Sequence, residues 1–95
     1  MRAGIIVASL LLTAAPALAA APTESQKTEF HTVCMGIAQD EALCACKAEA
    51  AMTLIDDRFM AVVIVSMRGG APKAGDYVAY NTYVAKSNQI CKPDY

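Results

Sequence analysis

The chain is poor in the residues that carry catalysis. His31 is the only histidine, so every histidine-dependent acid–base or nucleophilic mechanism would have to run through it. A Cys34–His31 nucleophile pair would need Cys34 as a free thiol. The adjacent acids Asp56 and Asp57 read as helix caps, not as a catalytic carboxylate pair. No glycine-rich phosphate loop is present. No basic cluster exists to neutralise phosphate charge, which argues against nucleic acid. Beyond the amino-terminal segment, the longest apolar stretch, Phe59 to Met67, contains Ser66 and lies between Arg58 and Arg68. It falls well short of the ~20 residues that a membrane-spanning helix needs. The sequence also lacks any Asn-x-Ser/Thr sequon.

What is there begins with an export signal. Arg2 provides a positive start, Ile5 to Leu12 an apolar core and Pro16 a break, and Ala17-Leu18-Ala19 offers small side chains at a cleavage site. Residues 1–19 are expected to be a cleaved signal peptide, with Ala20 as the alternative last residue; a cut after Ala21 is disfavoured because Pro22 would follow it. No cysteine follows the apolar core, which argues against lipoprotein processing. The short, alanine-rich signal favours the bacterial periplasm, with extracellular release as the alternative. Of the eight Lys and Arg, Arg2 precedes the cut, leaving seven against nine Asp and Glu. The mature chain, residues 20–95, is thus slightly acidic.

All four cysteines, Cys34, Cys44, Cys46 and Cys91, fall after the signal. An even number in a short exported chain reads as a disulfide framework. Size gives the physical need: a core in a chain below roughly 70–80 residues supplies only a few kcal/mol, so small folds add staples. On one helix, Cys44 and Cys46 would point about 200° apart and could not easily bond each other. Two pairings remain. A hairpin turning near Asp40 puts Cys34 and Cys46 equally far from the turn, which favours Cys34–Cys46 with Cys44–Cys91 over Cys34–Cys44 with Cys46–Cys91.

The mature chain reads as one all-α domain of about four short helices stapled by two disulfides. Thr23 to Gln26 forms a capping-box pattern, and Phe30, Val33, Cys34, Ile37 and Ala38 then share one helical face to about Ile37 or Ala38. Gly36 weakens that end. Asp40 caps a second helix with two stripes, Leu43, Cys46, Ala50, Leu54 and Cys44, Ala48, Ala51, Ile55, so wide a surface suiting neighbours on two sides. Asp56-Asp57 offers a third cap. The β-branched run Val62 to Val65 could suit a strand, but no partner strand exists, and Gly69-Gly70 with Pro72 reads as a helix stop with Arg68 near the negative end of the dipole. A buried third helix over 58–67 is therefore expected. Asp76 is expected to cap a fourth helix, with Tyr77, Tyr80, Val84, Ser87 and Cys91 on one face and Pro93 ending it.

Three functional constellations arise. Tyr77, Tyr80 and Tyr83 lie on successive turns and form the candidate partner-binding ridge, since interfaces enrich tyrosine. The favoured alternative puts Tyr77 and Tyr80 in the core and leaves Tyr83 and Tyr95 exposed. His31, Cys34, Cys44 and Cys46, with Met35 and Met52 nearby, could form a copper or zinc site, although the spacing fits no paired-cysteine zinc pattern. Cys44-Ala45-Cys46 has the outline of a thiol–disulfide redox pair but lacks the two-residue gap of thioredoxin-like motifs. By elimination, the leading expectation is a non-enzymatic exported protein that needs no cofactor and binds another exported protein, as a chaperone, inhibitor or immunity-type factor does.

Overall fold

In the computed structural model, residues 20–92 are described; the expected signal peptide, Pro93 and Tyr95 lie outside them. The elements are all helical: α1 (Glu24–Ala38), α2 (Glu41–Leu54), α3 (Asp57–Met67), a 3₁₀ turn (Ala74–Asp76) and α4 (Tyr77–Cys91). Helix α1 packs on α2 and α3, and α2 packs on α4, while α3 and α4 approach each other less closely.

The starts of α1, α2 and α3 are each set by a side chain that satisfies an otherwise orphaned backbone donor. Thr23 accepts from the Gln26 amide, and the Gln26 side chain accepts from the Thr23 amide, completing the capping box. The Gln26 side chain also donates, through Nε2, to the Asp57 carbonyl at 2.9 Å, which ties the start of α1 to the start of α3. Asp40 caps α2 through the Leu43 amide, and Asp56 caps α3 through the Phe59 amide. The expected cap at Asp76 is not realised: its side chain makes no capping bond, because α4 is entered through the 3₁₀ turn with Asp76 already helical. Its carboxylate lies 3.8 Å from Arg58 instead.

The β-branched run is helical, as the missing strand partner implied. Phe59, Met60, Val63 and Ile64 sink one face of α3 into the core, while Val65 stays exposed. Gly69 ends the helix at φ 101°, and a Cβ on Gly70 would meet Val65 Cγ1 at 2.8 Å, so the sharp exit requires glycine at both. At the other hairpin, α1 runs through Gly36 and stops at Gln39, which is left-handed with φ 53°. The first-helix stripe is narrower than the pattern implied: Phe30 and Cys34 are buried, but Ile37 is 62 % exposed.

Both staples form, as Cys34–Cys44 and Cys46–Cys91, with Cα separations of 5.6 and 5.7 Å. The expectation of Cys34–Cys46 with Cys44–Cys91 is therefore corrected. Height along the hairpin does not discriminate, since Cys44 and Cys46 each miss the level of Cys34 by about one residue, or ~1.5 Å. Direction does. Cys44 shares a fully buried line with Ala48 and Ala51 that faces α1 and the core, whereas Cys46 points about 200° away, toward α4.

Candidate functional site

The two bonds place α1 and α4 on well-separated sides of α2. Counting 100° per residue, Cys44 and Cys46 are about 160° apart by the shorter way round, and Lys47 falls inside that gap, ~60° from the first and ~100° from the second. Leu43 and Asp40, one and two turns earlier, lie on the same strip. The strip lies between the sides of α2 that face α1 and α4.

That strip forms one wall of a cavity of about 590 Å³. Phe30, Cys34, Ile37 and Ala38 of α1 line it on one side, and Tyr80, Tyr83 and Val84 of α4 on the other. Val63 and Met67 come from α3. The volume lies within the ~300–1,000 Å³ range of ordinary ligand pockets. The lining is mainly apolar, and the groove opens to solvent at the exposed Ile37. Its charged members are Lys47 and Asp40, and the Asp40 carboxylate is engaged with the Leu43 amide.

Lys47 is half-buried, and its ammonium donates to the Asn88 side-chain oxygen on α4. It makes no ion pair among the described residues. Burial holds its pKa below the usual lysine value, because a cation is less well solvated there than in water. Tyr83 is only 5 % exposed, and its hydroxyl has no hydrogen-bond partner among the described residues. Burial pushes its phenol up to about 12, an effect that the nearby Ser87 hydroxyl reduces slightly. The Ser87 hydroxyl itself donates to the Val84 carbonyl at 3.2 Å.

The tyrosines do not make a surface ridge. Tyr83 is core, Tyr80 is half-buried and Tyr77 is 45 % exposed. The alternative reading, with Tyr77 inside and Tyr83 outside, is corrected as well. A three–four spacing defines a line on a helix but not which way that line is turned. The most buried positions of α4 are Ser87 and Tyr83, and Tyr77 is roughly 100° round the helix from their mean direction.

His31 lies away from any thiolate chemistry, because every cysteine of the set Cys34, Cys44 and Cys46 is in a disulfide. Among the described residues no three metal-ligating side chains cluster. The half-exposed imidazole sits 3.1 Å from Glu41 across the α1–α2 hairpin, and Lys27 pairs with Glu49 on the same surface. Cys44 and Cys46 bond to different helices, so the Cys44-Ala45-Cys46 segment holds no redox bond of its own.

Lys47 and Leu43 were missed as site residues in the sequence. One signal was available: between Leu43 and Leu54 the only charges are Lys47 and Glu49, and Lys47 interrupts the apolar surface between two half-cystine stripes. Compared with protein-family models, with curated proteins and with solved structures, the chain matches none.

Proposed function

We propose that the protein is a non-enzymatic binding factor of the bacterial periplasm, taking an apolar helix of another exported protein into the groove between α1 and α4. The observation that carries this reading is the groove itself: about 590 Å³, apolar and open along an exposed rim. An amphipathic helix lays its apolar face into such a surface, anchoring a few side chains at helical spacing. Disulfides on either side limit how far the walls can move, which lowers the ordering cost of binding. Disulfides also belong to an oxidising compartment, in keeping with the export signal. A chaperone, an inhibitor or an immunity-type factor would each fit this reading.

A photo-reactive residue at position 37 tests the reading in producing cells. The expected result is a discrete adduct with another exported protein, lost when Leu43→Asp places a charge in the groove. Adducts unaffected by Leu43→Asp would overturn it. Alkylation under non-reducing conditions is expected to label no cysteine; labelling of Cys34, Cys44 or Cys46 would return the metal reading to contention.

A further inference from the structure

The cation in the groove constrains what the partner carries. Lys47 lies on the strip of α2 between its α1-facing and α4-facing sides, and the Asn88 side chain of α4 holds its ammonium in place. A neutral amide oxygen compensates a half-buried ammonium only partly. Among the described residues, the one carboxylate lining the groove, Asp40, accepts from the Leu43 amide and makes no ion pair with Lys47. Lys27, Arg58 and Arg68 each face a carboxylate elsewhere on the surface, and Lys73, Lys86 and Lys92, which have no ion pair among the described residues, are exposed to water, unlike Lys47. Among the described residues, Lys47 is therefore a half-buried cation without an ion-pair partner beside an apolar surface, an arrangement in which an added anion is held strongly.

We propose that the helix accepted by this groove bears an acidic side chain beside its apolar stripe, and that Lys47 pairs with it and sets the register of binding. This rests on the reading that the groove receives a partner's apolar helix. A helix is favoured over a free amphiphile because the cavity is not closed: its rim continues onto the surface through Ile37, 62 % exposed. In this role Lys47 supplies specificity, while Ile37, Leu43, Met67 and Val84, groove residues with exposed apolar surface, supply contact area.

Titration of the full mature chain, disulfides intact, with synthetic amphipathic helices tests the proposal. The probes are blocked peptides of about 15 residues with a Leu/Phe stripe, long enough to span the groove at ~1.5 Å per residue. Each carries Glu, Gln or Lys at one position, moved in turn along both edges of the stripe. At one register the Glu peptide should bind roughly tenfold tighter than the Gln peptide, with Lys weakest, and the preference should shrink with added salt. Lys47→Met should abolish the preference for Glu over Gln, and Lys47→Arg should restore it. A thermal melt of each variant separates loss of recognition from loss of fold. Equal binding of Glu and Gln peptides at every register would overturn the role of Lys47 and leave the groove reading standing. Binding of none of the peptides would overturn both. Dodecanoate bound more tightly than every peptide would reassign the site to a free amphiphile and overturn the proposal.

Discussion

Helices α2 and α3 each bury one face in the core, yet they are held by opposite means. Helix α2 buries Cys44, Ala48, Ala50 and Ala51 and carries one end of each disulfide. Helix α3 buries Phe59, Met60, Val63 and Ile64 and has no covalent tie to any neighbour. An alanine removes little apolar surface from water, whereas each large side chain of α3 contributes about 1.5–3 kcal/mol on full burial. Small residues let α1 and α4 come close to α2, and the crosslinks make up for the burial that those small residues forgo. The protein is thus stapled along one axis and packed along another, with the groove where the two meet.

The sharpest way to break this contrast is to remove the longer staple. Cys46→Ser with Cys91→Ser opens a bond of sequence separation 45 and should cost about 4 kcal/mol on the loop-entropy model. Urea unfolding measures the cost, and hydrogen exchange should show α4 losing protection before α1 and α2. Next is the packed axis. Met60 is 0 % exposed, and Met60→Ala should cost about 3 kcal/mol through lost burial and the cavity left behind. Its effect should be similar in the staple-free background if the two means of support are independent.

Tyr83 sharpens the comparison where α4, a stapled helix, meets the core. Its folded-state pKa of about 12 exceeds the ordinary phenol value of 10.0. A raised pKa gives stability that is complete below the unfolded value and lost as pH climbs through the folded one. The protein should therefore lose roughly 2–3 kcal/mol between about pH 10 and 12 from this group, at about 1.4 kcal/mol per unit. Tyr83→Phe should remove that alkaline loss. Phenolate absorbance should show one tyrosine titrating late. The smallest effect belongs to the α1–α2 turn: Gln39→Gly relieves a left-handed residue and should add about 0.5–1 kcal/mol, read as a higher thermal midpoint.

Much of the fold was legible because its signals are local. Thr23, Asp40 and Asp56 sit where short-range hydrogen bonds set helix starts, and Gly69-Gly70 marks an exit that only glycine permits. The exclusion of a Cys44–Cys46 bond followed from helix geometry alone. The pairing itself did not, because the levels of Cys44 and Cys46 relative to Cys34 are nearly equivalent and only their directions in the packed bundle differ. Asp76 looked like a cap from its position, but the backbone before it was already turning. Tyr77 and Tyr83 exchanged roles for a related reason: periodicity gives a face, and the neighbours choose how that face is turned.

By itself, then, the sequence determined that the described chain is helical, where the helices begin, and that Cys44 and Cys46 must reach separate partners. Tertiary structure alone decided which partners those are, which tyrosine is buried, and that Leu43 and Lys47 line a groove. The reason is physical. Caps and periodicity act over three or four residues, whereas rotation about a helix axis is set by what lies across the core, far away along the chain. The space between α1 and α4 belongs to no single element, and it exists because two half-cystines two residues apart pull their partners to different sides of one helix.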